Sequence, residues 1–255
     1  MKKTSKVLAL AMAALLLFGA LAGCSAKGIT IDDIKEDGKL IMATNAEFPP
    51  YEYHEGSEIT GFDVEMAQAI ADEIGVPLQI EDMAFDSVVA SVQSGKAHIA
   101  AAGLTVDEKR KKSIDFSDPY TTATQVIIVK EGSEITDVAG LVGKKIGTQI
   151  GTTGATYAED IEDATVERYN KGADAVLDLI NGKVDAVVID DQPAKKFVEK
   201  NEGIVVLDEA LTVEDYAIGI PKNSPELVEL VNKVISDMKA DGRYDALIAK
   251  YIDNN

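Results

Sequence analysis

The chain has 255 residues, 46% of them apolar, with one cysteine and a formal charge of −19. So acidic a body will not hold nucleic acid or anionic lipid by bulk attraction, and a single cysteine allows no intrachain disulfide. The length exceeds the usual single domain and suits two modest lobes, each with its own core.

Residues 1–23 read as an export leader. Lys2, Lys3 and Lys6 make a basic start, and Val7 to Ala22 is a continuous apolar run, short of the roughly 20 residues of a spanning helix. Removing the leader deletes those three lysines and no acid, which takes the formal charge to −22. The run closes on Leu21-Ala22-Gly23-Cys24, which resembles a bacterial lipoprotein processing box. That resemblance implies cleavage before Cys24 and acylation of its thiol. The plain alternative is a secretory leader with an incidental cysteine.

Beyond a tether, Gly38 to Asn45 reads as a buried strand feeding a loop. Pro49 and Pro50 argue against regular structure over Glu47 to Tyr51. Gly61 to Ile74 is an amphipathic helix: Phe62, Met66, Ile70 and Ile74 recur every four residues, and Gly75 with Pro77 stops it. A strand over Leu78 to Ile80, a helix over Asp86 to Gln93 and a strand over His98 to Ala102 follow. Such alternation predicts a mainly parallel α/β sheet.

The pattern then repeats. Ser94-Gly-Lys-Ala-His-Ile-Ala-Ala101 is echoed by Asn181-Gly-Lys-Val-Asp-Ala-Val-Val188, and the strand Lys39 to Thr44 by Lys144 to Thr148. Two similar lobes explain the echo better than one long sheet. Thr121 to Val129 and Thr212 to Ile220 are extended segments suited to crossing between lobes, and two crossings make a hinge. Ser224 and Pro225 suit the cap and first turn of a helix whose Leu227, Leu230, Val231 and Val234 share a face. The last helix, Tyr244 to Tyr251, is expected to pack back on the first lobe.

In open α/β sheets, ligands sit beyond the carboxyl ends of the strands. Four loops occupy such positions: Asn45 with Phe48, Gly103 to Arg110, Gln149 to Gly154, and Asp190 with Asp191. In the second, Thr105-Val-Asp-Glu108 has capping-box spacing, and a helix start offers N–H groups to an anion. Arg110 follows, and its planar fork can grip a carboxylate through two parallel hydrogen bonds. The plain alternative there is a strand-turn-helix with a surface arginine.

The segment Gln149-Ile-Gly-Thr-Thr-Gly154 is glycine-rich and should open a helix with donors for an anion. Gly147, Gly151 and Gly154 lack the dinucleotide spacing, which removes the case for Glu167 as a ribose-binding acid. Asp190 either caps the following helix or pairs with a ligand ammonium. Phe48 and Phe85 are core residues or ligand platforms. Together an arginine, a donor loop, an acid and aromatics describe a holder of a free α-amino acid. Catalytic signals are thin. His54 and His98 lack metal-ligand spacing, and Ser236-Asp-Met-Lys239 lies on an apolar-periodic helix without companion motifs. No metal or cofactor is expected.

From about Gly38 to Ile252 the chain resembles the polar amino acid family of extracellular solute-binding proteins, the receptors of ABC importers. The resemblance rests on Gly61-Phe-Asp-Val-Glu-Met-Ala-Gln-Ala-Ile-Ala, Gly103 to Arg110, Asp115-Phe-Ser-Asp-Pro-Tyr120, Gly151-Thr-Thr-Gly154 and Val184 to Asp190, in the family's order. It implies a two-lobed α/β periplasmic-binding-protein fold of type II, with mainly parallel sheets. Lobe 1 would be residues 38–120 and 217–255, lobe 2 residues 125–211, and the hinge 121–124 and 212–216, with 24–37 as anchor and tether.

Carried over by position, Arg110, Thr105, Gly103 and the Thr153 backbone would bind the ligand carboxylate. Asp190 would take the ammonium, with Ala102 or Gly103 offering a carbonyl. Phe48 and Phe85 would sandwich the side chain, and Asn45 and Gln149 would read its tip. The chain departs from the family at Lys109, where Glu is common and Glu108 would compensate, and at Asn45, where Asp is frequent. The implied function is high-affinity binding of a neutral or basic amino acid outside the cell, by a lipid-anchored monomer that delivers it to a membrane permease. The alternatives are a dehydratase on the same scaffold, resembling cyclohexadienyl dehydratase, with Glu47 as general acid, or an amino acid sensor.

Overall fold

The computed structural model describes residues 28–253. The leader and Cys24 lie outside them. After helix α1 (Ile31–Asp37), the first lobe is built on β1 (Leu40–Thr44), β5 (Leu78–Asp82), β6 (Ile99–Ala100), β7 (Ile114–Phe116) and β14 (Gly219–Pro221). They form one sheet in the order β5-β1-β6-β14-β7. Helices α2 (Phe62–Ile74) and α3 (Phe85–Gln93) connect its parallel strands.

Phe62, Met66, Ile70 and Ile74 of α2 are all buried, as their spacing predicts. They pack on one face of the sheet with Met42, Ile99 and Ile220, and with Leu227, Val231 and Val234 of α7 (Pro225–Asp241). Val88 and Val92 of α3 cover the opposite face with Ala43, Ala100 and Ile114. The alternation of Met42 and Ala43 between faces is the period-two rule of a strand.

A second sheet, in the order β10-β9-β11-β8-β12, contains β8 (Thr121–Lys130), β9 (Lys145–Gln149), β10 (Thr165–Tyr169), β11 (Ala186–Asp190) and β12 (Ile204–Val206). Its helices are α4 (Thr153–Glu159), α5 (Gly172–Ile180) and α6 (Asp191–Lys200). The echoed sequence blocks thus occupy like places, one leading from α3 into β6 and the other from α5 into β11. Strand β13 (Thr212–Tyr216) pairs antiparallel with the start of β8, with Tyr216 opposite Thr121 and Thr212 opposite Gln125. The chain passes between the sheets just before β8 and just after β13, so the two passages lie side by side.

Each sheet is mainly parallel in strand direction, as expected, with a single reversed strand. The reversed strands are β14, which pairs antiparallel with β6 and β7, and β8, which pairs antiparallel with β11, β12 and β13. A strand that arrives from the other lobe needs no helical crossover, so nothing imposes parallel direction on it.

Three local readings are corrected. Glu47–Phe48 forms strand β2, paired with β3 (Glu52–Glu55), which in turn pairs with β4 (Glu58–Thr60). Residues before a proline favour extended backbone, so Pro49 ends the pairing without preventing it. Ser224 precedes α7 but does not cap it; its hydroxyl accepts the Ile29 N–H at 2.8 Å. The segment after Thr105 is no capped helix either, only a single 3-10 turn, Arg110–Lys112. The chain ends in α8 (Arg243–Leu247) and a π-helical turn, Ile248–Asp253, and Tyr244, Lys250 and Tyr251 tie it to Tyr120 and Glu65 of the first lobe.

Candidate functional site

Where the two lobes face each other, loops at the carboxyl ends of β1, β6, β9 and β11 close around one cavity. Asn45, Phe48, Phe85, Ala102, Gly103, Thr105, Arg110, Gln149, Thr153 and Asp190 all line it, together with Thr152. Thr152 was not singled out in the sequence; it is the residue that caps α4, accepting the Ala155 N–H.

Arg110 is buried, not a surface arginine. Its Nη1 donates to the Thr105 carbonyl (2.7 Å), its Nη2 to the Gly151 carbonyl of the other lobe (3.1 Å), and Nε lies 3.2 Å from Asp107 Oδ2. The Phe85 ring lies against the guanidinium, 5.4 Å from centroid to Cζ. Each terminal nitrogen carries a second N–H, so a two-pronged grip on a carboxylate remains available. Asp107 is the compensating acid. It also accepts the Lys109 and Arg110 N–H groups through Oδ1, while Glu108 pairs with Lys111 at the surface.

Thr105 does not act as a cap. Its hydroxyl donates to Glu214 Oε2 at 2.9 Å, and Thr153 from the opposite lobe donates to the same oxygen at 2.8 Å. Glu214 is not among the residues that the sequence points to. Gly103 has φ +51°, and a Cβ there would sit 2.8 Å from the Phe48 ring, so glycine is required for the loop and ring to approach. The Gly103 N–H donates to Asp63 Oδ2 (2.8 Å), and the Tyr120 hydroxyl donates to the same carboxylate. Asp63, the acid of the Gly61-Phe-Asp segment, therefore holds the binding loop from beneath. Burial pushes its carboxyl up to about 6, against the lowering effect of those two donors. Glu52, fully buried beside it, is raised well above the usual carboxylate range by burial and by the charge of Asp63.

Asp190 stands at the first residue before α6 but makes no capping bond. Its Oδ1 accepts from Gln125 Nε2 (2.7 Å) and the Tyr216 hydroxyl (2.5 Å), and burial pushes its carboxyl up to about 7. A buried carboxylate with two neutral donors lacks a cation, which a bound ammonium would supply. At the far end, Gln149 Nε2 donates across the gap to Asn45 Oδ1 (2.9 Å), and Asn45 Nδ2 donates to the Met83 carbonyl. Gln149 Nε2 also donates to the Asn170 carbonyl (3.1 Å), so the donor left at this end is the second N–H of Asn45, beside the acceptor oxygens of both amides. Glu47 does not line the cavity and pairs with Lys171 of the other lobe.

The chain matches, over residues 40–254, the family model of bacterial extracellular solute-binding proteins, family 3. It is 33% identical over 252 residues to the arginine-binding extracellular protein ArtP of Bacillus subtilis (strain 168), spanning 96% of this chain and 97% of that one. It is 30% identical to the L-cystine-binding protein TcyJ of Escherichia coli (strain K12), over 91% of this chain and 90% of that one. Among solved structures, the amino acid ABC transporter substrate-binding protein AbpA from Streptococcus pneumoniae, bound to L-arginine, superposes with a TM-score of 0.82 at 39% identity, covering 86% of this chain and 96% of that one. With two α/β lobes and a cavity between them lined by both an arginine and an acid, the chain belongs to the bacterial extracellular solute-binding proteins of family 3.

Proposed function

We propose that this chain is the receptor of an ABC importer and binds a polar L-amino acid, neutral or basic, between its lobes. The observation that carries the reading is that Arg110 of one lobe and Asp190 of the other line a single cavity. Only with the lobes drawn together are both charges of a zwitterion satisfied, so ligand stabilises the closed form by its differential contacts. Lobe 1 comprises 38–120 and 217–255, lobe 2 comprises 125–211, and the hinge is 121–124 with 212–216. Phe48 and Phe85 flank the ligand side chain, and Asn45 and Gln149 read its polar end. The paired amides and aromatic rings at that end, set against the relatives for arginine and cystine, support amide or guanidinium recognition.

The closed receptor, a monomer anchored outside the cell through acylated Cys24 after removal of the leader, delivers its ligand to a membrane permease. It releases that ligand unchanged and is not an enzyme. A thermal-shift screen of the twenty amino acids tests the reading, because binding to the native state alone raises the melting point. At least one polar amino acid is expected to raise it by several degrees at millimolar concentration. A flat response to all twenty, or conversion of the bound amino acid, would overturn it.

A further inference from the structure

Glu214 sits on β13, at the crossing between lobes, with its side chain turned inward and 6% exposed. Its Oε2 accepts from Thr105 Oγ1 on one side of the cavity, from Thr153 Oγ1 on the other, and from Gln125 Nε2 at 3.2 Å. Its Oε1 has no hydrogen-bond partner among the described residues. Gln125 Nε2 also donates to Asp190, so one amide ties the two acids into a single frame.

A threonine hydroxyl has one hydrogen and two lone pairs, and an ionised carboxylate only accepts. With both hydrogens spent on Glu214, the oxygens of Thr105 and Thr153 have only lone pairs left to offer, and one on Thr153 already meets Gln125 Nε2 at 3.5 Å. Neither hydroxyl is then free to donate to a ligand carboxylate, and both suit an ammonium. Arg110 alone among the lining side chains then serves the carboxylate as a cationic donor.

We propose that Glu214 is a positioning residue that sets the charge preference of the site. By taking a hydroxyl hydrogen from each lobe it makes Thr105 and Thr153 acceptors, and so selects ligands that carry an α-ammonium. The proposal rests on the amino acid receptor reading. Glu214→Gln replaces the charged acceptor by a neutral one, which holds the two hydroxyl hydrogens less firmly, so the hydroxyls can turn them into the cavity and tolerate a ligand without the ammonium.

The test is calorimetry of the wild type, Glu214→Gln and Glu214→Asp with L-arginine and L-glutamine, each set against its analogue lacking the α-amino group. Wild type is expected to prefer the better-bound amino acid over its analogue by about 100-fold or more, and Glu214→Gln to lose roughly tenfold of that ratio. Glu214→Asp keeps the charge but withdraws it by one methylene, and is expected to lose part of the ratio; it carries the test alone if Glu214→Gln fails to fold. Equal weakening of amino acid and analogue, with the ratio intact in the folded variants, would overturn the role of Glu214 and leave the receptor reading standing. A wild type that binds neither amino acid and responds to none of the twenty would overturn both.

Discussion

Burial holds the Asp190 carboxyl at about 7, so this acid works against the fold that buries it. The folded carboxyl keeps its proton to about 7, whereas an unfolded aspartate releases it near 3.9. The native state therefore binds more protons within that window, and its stability falls as pH rises through it. Asp63, raised to about 6, acts in the same sense. In Asp190→Asn the Tyr216 hydroxyl keeps an acceptor, and Gln125, whose Oε1 has no partner among the described residues, can turn its amide to meet the new donor. Without ligand at pH 8, Asp190→Asn is expected to melt roughly 2–6 °C above the wild type, while losing amino acid binding. Equal melting at pH 8 and pH 5 in both proteins would show that the buried charge costs nothing. Binding carries the opposite sign. An ammonium pairs with the carboxylate and not with the acid, so affinity is expected to rise with pH from 5 up to about 7 and then level off. Titration calorimetry in two buffers of different ionisation heat would also register proton release at pH 6.

The turn before α4 packs directly on the opposite lobe. Gly151 has φ +81°, and a Cβ there would lie 2.9 Å from Asp86 Cβ and 3.0 Å from Asp86 Cα, on α3 of the opposite lobe. Alanine would be strained in that backbone conformation and would also push against a helix that cannot give way. Gly151→Ala is expected to weaken ligand binding by about 10- to 100-fold while both lobes stay folded. X-ray scattering should then show the ligand-saturated variant more extended than the saturated wild type; identical scattering would sink the idea that this turn gauges closure. Sequence reading reached such features unevenly, for physical reasons. Helix α2 was legible because Phe62, Met66, Ile70 and Ile74 repeat along one buried stripe. The loops at strand ends were legible because their residue types, glycine, threonine, arginine and aspartate, suit one chemistry. Thr105 misled because capping spacing is local, whereas its hydroxyl is claimed by Glu214 from 109 residues away. Strand β13 hid Glu214 altogether: Val213 is 70% exposed and Glu214 buried, the reverse of the usual apolar-in alternation. The one signal was Tyr216, two residues on and therefore on the same face.

At the scale of the whole molecule, the charge is too unbalanced to be neutral toward ligands. Residues 24–255 carry a formal −22, while Arg110 and Asp190 offset one another within the cavity. A net field of that sign draws a cationic amino acid toward the protein and leaves a neutral zwitterion to ordinary diffusion. The field reaches about 20 Å at 20 mM salt but only some 4 Å at 500 mM, less than the depth of a cleft between lobes. Stopped-flow association of L-arginine is therefore expected to slow about three- to tenfold over that range, with its dissociation rate nearly constant. L-Glutamine, with the same head group and no net charge, should associate at a rate that changes less than about twofold. Equal salt dependence for the two would mean that the acids are arranged to cancel at the cleft mouth, where Lys171 pairs with Glu47 across the two lobes. A steep slope for L-arginine alone would mean that selection for charge begins in solution, before either lobe touches the ligand.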